Sequence, residues 1–379
     1  MLRSSRFVIL GSMLTACSGG MMSDLVAPDG ASRTAHGGGN VGAVYTQTNA
    51  ASGNSVLVYH RAASGALTSG GSVATGGNGS GAGLGSQGSV TLSADGDWLF
   101  VVNAGSNEVS SFAVDDDGGL TLRGKASSGG TLPISVTAHG DVVYVVNAGG
   151  AGNIAGLRLQ PDGSLVPIAG SSRALSAAGA GPAEVSFDPS GAWLVVTEKN
   201  TNKIDTWRVG ADGLASGRVV NASAGITPFG FTFTSRGFLA VTEAFGGAVD
   251  ASAVSTYTVN SNGTLSVITA SAPTTETAAC WIVSNNNGKF VYAANAGSAS
   301  LTGFDVRDGR LSILDGDGKT GQSGASPVDV AITQNSQVLY GLNNGSHTIS
   351  IFGVSQSNGS LSAGGAVGVP TGVVGLAAK

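Results

Sequence analysis

The chain has 379 residues, a formal net charge of −5 and only 11% charged side chains, a sparse and slightly acidic balance that argues against a nucleic-acid partner. Glycine occurs 62 times, yet β-branched and aromatic residues recur in short alternating runs. That combination points to many short strands joined by tight turns, not to disorder.

At the N-terminus, MLRSSRFVILGSMLTAC opens with Arg3 and Arg6, continues in an apolar run from Phe7 and ends on small residues. The run is too short to serve as a mature spanning helix and reads as a secretory signal over residues 1–16. Leu14-Thr15-Ala16-Cys17 fits the bacterial lipobox, so the mature chain is expected to begin at a lipidated Cys17. Ser18 in the next place favours the outer membrane, on its periplasmic or surface face. Residues 17–40, rich in Gly, Ser and Met, read as a flexible tether, and membrane attachment is expected through the lipid alone. There are two cysteines. With Cys17 lipidated the chain has no intramolecular disulfide, and the remaining residues must be stabilised by their core; Cys280, opening an apolar strand, reads as part of that core.

From residue 41 onward the sequence repeats. Asp97–Phe112 (DWLFVVNAGSNEVSSF), Ala192–Trp207 (AWLVVTEKNTNKIDTW), Lys289–Phe304 (KFVYAANAGSASLTGF) and Gln337–Phe352 (QVLYGLNNGSHTISIF) are copies of one unit. Aligned on one position, the series is Asn49, Asn103, Asn147, Glu198, Glu243, Asn295 and Asn343, at an average spacing of 49 residues. Each unit holds an apolar strand that often follows Pro (GPAEVSFDPS, TPFGFTFTSR, SPVDVAITQN), a second such as WLFVV, a third such as EVSSFAV and a fourth such as GLTLRGK. Asp-Gly and Asn-Gly turns between alternating runs are hairpin signals. Four antiparallel strands repeated seven times predict an all-β, seven-bladed β-propeller over residues 41–379. The first unit lacks its opening strand, and the last segment, VPTGVVGLAAK, is an opening strand with nothing after it. Pairing the two completes the ring and removes an open edge.

In such a blade the first strand lines the channel, and its start lies beside the end of the second. The aligned Asn and Glu residues are therefore expected around one mouth of a central funnel, with Glu184, Glu198, Lys199 and Glu243 near one another. Asn103, Asn147, Asn295 and Asn343 complete a polar ring there, and Trp281 is a candidate pocket floor or core aromatic.

The blade pattern in GPAEVSFDPSGAWLVVTEKNTNKIDTW and NGKFVYAANAGSASLTGFDV resembles the lactonase family of seven-bladed propellers, which includes propeller-type 6-phosphogluconolactonases and carboxymuconate lactonising enzymes. The resemblance spans about residues 41–379. It implies a lactone-opening site at the funnel mouth, with Glu198 matching the family's Glu at the end of a second strand. Other expected positions differ: Ala183 and Glu184 stand in place of Arg and His, and Asn295-Ala296-Gly297-Ser298 lacks the family's Arg.

Opening a lactone needs a base to activate water and a group to stabilise the developing oxyanion, and an anionic substrate needs Arg to grip it. Without those arginines a phosphorylated or carboxylated substrate is disfavoured. Two readings of different class remain. One is a binding propeller whose upper funnel takes a small neutral ligand or a protein partner without catalysis. The other is a hydrolase of a neutral lactone or ester, with Glu198 or Glu243 as base and Lys199 supplying positive charge. Glu198–Lys199 read equally well as an ion pair at the rim, and Glu243 as a partner of backbone N–H groups in its tight turn. No cofactor is expected; three carboxylates leave Ca²⁺ as an option, and DGDGK at 315–319 reads better as an Asp-Gly turn. The protein is expected to be a monomer.

Overall fold

The computed structural model describes residues 40–379; the expected signal segment and lipidated Cys17 lie outside them. Seven antiparallel sheets follow one another along the chain. The first strands of neighbouring sheets contact each other all the way round, so the sheets close into a seven-bladed propeller. Among the described residues the helical content is one 3₁₀ turn, Phe245–Gly247.

Blade 4 illustrates how the sequence produces a blade. Its first strand is Pro182–Phe187, its second Trp193–Glu198, its third Lys203–Val209 and its fourth Ala215–Ala222. The second strand is flanked by other blades on both faces and is buried at all six positions, hence its nearly unbroken apolar run. The fourth is outermost and mostly exposed. Outer strands in blades 3 and 6 are split: Leu165–Pro167 and Arg173–Ala174 both pair with the third strand of blade 3, and Arg310–Ile313 and Gly321–Gln322 do so in blade 6.

Ring closure follows the complementary missing strands. Val374–Ala378 pairs antiparallel with Gly42–Gln47 as the innermost strand of blade 1, Val44 opposite Ala378 and Tyr45 opposite Ala377. Arg61 Nε fixes the chain end by donating to the Lys379 carbonyl at 2.9 Å.

A hydrogen bond also staples each blade to the next. Tyr45, Tyr144, Tyr292 and Tyr340 on second strands donate their hydroxyls to Gly118, Gly213, Gly359 and Gly65, glycines in the turn before the following blade's fourth strand. Blades 2, 4 and 5 carry Phe100, Val195 and Ala240 instead. There the residue directly opposite on the third strand is Ser111, Thr206 or Thr256, and its hydroxyl reaches the corresponding Gly163, Gly263 or Gly309 carbonyl. Each such buried bond contributes on the order of 1 kcal/mol. The staples also fix the alignment of the repeats. Tyr45 matches Tyr144, so Thr48, not Asn49, is the blade 1 counterpart of Asn147. Asn49 has φ 49° and turns its side chain onto Ser80 and Ala82.

Candidate functional site

The aligned polar residues lie at one end of the channel, each opposite the start of its blade's first strand: Pro133 faces Asn147, Pro182 faces Glu198, Pro228 faces Glu243, Ala279 faces Asn295 and Pro327 faces Asn343. We call this the upper end. All of these side chains are buried, and apart from Asn295 they hold the chain where it crosses between blades rather than lining an open funnel. Asn103 accepts from Thr75 Oγ1 (2.7 Å) and Asn54 Nδ2 (3.0 Å). Asn147 donates to the Ser128 carbonyl (3.0 Å), and Asn343 accepts from Ser323 Oγ. Asn295 bonds within its own blade, to Ser300 and Thr302.

Glu198 and Glu243 occupy the same position where it is surrounded by donors. Glu198 accepts from Ser176 N (2.8 Å), Ser176 Oγ and Thr201 Oγ1 (2.5 Å). Glu243 accepts from Gly225 N (2.7 Å), Ser255 Oγ (2.5 Å) and Ser271 Oγ (2.6 Å). An Asn has one acceptor oxygen and two N–H groups; a carboxylate has acceptor capacity at both ends and reaches further as Glu. A Cβ at position 225 would sit 2.1 Å from Glu243 Oε2, so the crossover approaches as closely as glycine permits.

The upper end of the channel is filled by the chain itself. The glycine-rich connection from Thr75 to Ser89 crosses it. Its backbone bonds to three blades: Gln87 N to Ala183 O (3.0 Å), Val136 N to Gly88 O (2.8 Å) and Trp281 Nε1 to Ser86 O (2.9 Å). The Gln87 amide copies a strand partner, accepting from Ile282 N (2.9 Å) and donating to Ile282 O (2.9 Å) and Phe231 O (3.2 Å). Room for it exists because residue 230 is glycine: a Cβ there would meet Gln87 Oε1 at 2.2 Å and the Cys280 carbonyl at 2.6 Å.

Lys199 clamps this plug. Its Nζ donates to Gly85 O (2.6 Å) and Pro182 O (3.0 Å) and lies 4.8 Å from the Phe229 ring, which packs edge-on against Trp281. It forms no ion pair with Glu198 among the described residues, and burial lowers its pKa to about 8. Lys199 is therefore neither a rim ion-pair partner nor a charge presented to solvent, because the plug has taken its donors. Trp281 is a wall against the plug, not an open pocket floor. Cys280 is fully buried.

Glu184 is not grouped with Glu198 and Glu243. A β-bulge after Pro182 turns it into the channel below the plug, and the register gives blade 7 the same bulge and Asp329 at the same place. Glu184 Oε2 accepts from Phe231 N (2.6 Å); Asp329 accepts from Val330 N (2.8 Å) and Leu376 N (3.0 Å). Burial drives both carboxyls well above the usual range, and Asp329 adds repulsion at Glu184. They line a cavity of about 250 Å³. Its lower lip is half-exposed Thr91, Leu92, Val283, Ser284 and Ile332. Neither Gln87 nor Asp329 stood out in the repeat alignment on second strands. Aligning GPAEV with SPVDV on the proline places Glu184 and Asp329 together, which is the signal that identifies the pair.

Among the described residues no group of three or more His, Cys, Asp or Glu is arranged to hold a metal ion. The turn at 315–319 is closed by Gly318 N to Asp315 O and Lys319 N to Asp317 Oδ1.

Comparison with known proteins agrees with this architecture. A candidate 6-phosphogluconolactonase of Bacteroides fragilis superposes with a TM-score of 0.71 at 21% identity, over 89% of this chain and 98% of that one. A second, from Bacteroides uniformis, gives 0.72 at 22%, over 89% and 99%. The periplasmic gluconolactonase of Pseudomonas aeruginosa gives 0.69 at 19%, over 88% and 99%. At these identities the likeness concerns the fold. No curated protein matches the sequence. The profile of the family described as "Lactonase, 7-bladed beta-propeller" matches residues 43–374, nearly the whole propeller, and the chain belongs to that lactonase family.

Proposed function

We propose that this lactonase-family propeller is a non-hydrolysing member, held in the bacterial envelope through a lipidated Cys17, whose upper face is a recognition surface for a small neutral ligand or a protein partner. The observation that carries the reading is the glycine-rich plug. It fills the funnel mouth at which a lactone would meet a base. Glu198 and Glu243 have their oxygens committed to crossover donors, leaving neither free to take a proton from water. Lys199 donates to the plug, leaving no mobile cation at that mouth among the described residues to steady an oxyanion.

The test is turnover by the purified protein on a panel of neutral lactones together with 6-phosphogluconolactone, repeated with Glu198→Gln and Glu243→Gln. The expected result is no hydrolysis above background, with both variants changing stability alone. Turnover that disappears in either variant while the thermal midpoint holds would establish the hydrolase reading instead, which the gluconolactonase among the structural neighbours favours. The anchoring half of the proposal is tested separately: Cys17→Ser is expected to move the protein out of the membrane fraction or block its processing. A correctly processed variant that stays with the membrane would sink it.

A further inference from the structure

The lower half of the channel has a feature that a sealed propeller does not need. Two buried carboxyls, Glu184 and Asp329, face one small cavity. Neither belongs to an ion pair with a lysine or arginine among the described residues. A buried carboxylate without a cation costs several kcal/mol, and two such groups acting on each other cost more.

Their hydrogen bonds say which form the site is built for. Both oxygens of Asp329 accept backbone N–H groups, the arrangement that suits an ionised carboxylate. Glu184 uses Oε2 in the same way, while Oε1 has no hydrogen-bond partner among the described residues; the side chain is only 6% exposed and lines the cavity. An acceptor is left open toward the cavity. The walls beside it are apolar, with Val90, Val330 and Leu376 contributing. The roof is the Gln87 amide, whose own hydrogen bonds are already satisfied.

We propose that this well binds a small primary ammonium ion, its cationic head between Glu184 and Asp329 and its short carbon chain against Val90, Val330 and Leu376. The ammonium group carries three donors and supplies the missing positive charge. A volume of about 250 Å³ falls just below the ~300–1,000 Å³ of drug-sized sites, so the occupant is a few carbons long. A divalent metal fits less well: Ca²⁺ takes about six to eight oxygens, and the carboxylates present are two. Entry is from the half-exposed lower lip, because the plug closes the other end. The site is separate from the upper face on which the proposed function rests.

The experiment is calorimetric titration of the full-length protein at pH 8 with propylammonium chloride, in parallel with 1-propanol, CaCl₂ and NaCl. Saturable binding is expected for propylammonium alone. Glu184→Gln keeps an oxygen for Phe231 N–H and is expected to weaken binding about tenfold or more with the unliganded thermal midpoint no lower than that of the wild type; Asp329→Asn serves as the second variant. Binding is expected to weaken at pH 5, where protons compete for Glu184 and Asp329, the titratable groups facing the well. Equal binding of 1-propanol, preferential binding of calcium, unaltered affinity in Glu184→Gln, or no binding of propylammonium would each overturn the proposal.

Discussion

The two ends of the central channel use the same repeat differently. At the upper end the polar side chains are tied into the fold, with Asn147 Oδ1 and Asn295 Oδ1 left without a hydrogen bond. Glu198, Glu243, Asn103, Asn147 and Asn343 hold crossovers, Lys199 and Trp281 hold the plug, and Gln87 mimics a strand. At the lower end the bulge after the blade's opening proline presents Glu184 and Asp329 to a cavity, with one oxygen unused and no ion-pair partner among the described residues. The difference teaches that an unusual residue in a repeat is not by itself a mark of chemistry. Glu198 and Glu243 depart from their sister asparagines because their crossovers present donors only. Glu184 and Asp329 depart from Ser135 and Trp281 at the equivalent register; they too accept backbone N–H groups, but Glu184 Oε1 is left facing a cavity.

The largest expected effect comes from breaking the upper end at its narrowest point. In Gly230→Ala the new methyl would press on Gln87 Oε1 and on the fixed Cys280 carbonyl. Overpacking and the loss of the Gln87 hydrogen bonds together are expected to cost about 3 kcal/mol, read as a lower urea midpoint. Amide protons of residues 85–88 should exchange faster, because the plug is the part displaced. A stability loss spread evenly over the seven blades, with residues 85–88 still protected, would mean that the plug is ordinary packing rather than a seal.

Much of this molecule was legible in the sequence. The seven units, the four strands of each, and the pairing of VPTGVVGLAAK with the first unit follow from periodicity and turn chemistry, which are local. The register of the first unit was displaced by one because Asn49 looks like its sister asparagines, and the staple of Tyr45 to Gly118 that corrects it joins residues 73 apart. The side-chain partners were not legible. Whether Glu198 faces a funnel or a crossover depends on where Ser176 lies, and nothing in AWLVVTEKNTNKIDTW fixes that. The plug was the least visible: a stretch of Gly, Ser and Asn reads as a loop, and its path across the channel is set by the absence of a Cβ at Gly230 in another blade.

The smallest expected effect separates the lower carboxyls from a carboxyl that is merely buried. Asp205 lies on the third strand of blade 4, fully buried, with neither side-chain oxygen hydrogen-bonded among the described residues; Arg218 Nε lies 4.0 Å away and is partly exposed. Burial first, and then the charge of Glu198, raises its pKa from 3.8 to about 7. Folded protein thus keeps a proton that the unfolded chain releases between about pH 4 and pH 7. Stability must fall as pH rises through that window and level off above it. Glu184 and Asp329 are shifted in the same direction and add to the slope, whereas Lys199, lowered to about 8, acts only at higher pH. Asp205→Asn is expected to flatten part of the decline between pH 5 and pH 7.5 and to raise stability at pH 7.5 by about 1 kcal/mol, measured from urea midpoints across the range. Propylammonium should leave the Asp205 share of the slope untouched while reducing the share of Glu184 and Asp329, since it binds their ionised forms. If adding it changes the slope of wild type and Asp205→Asn by nothing at all, the lower carboxyls are buried in the same sense as Asp205 and the contrast between the two ends disappears.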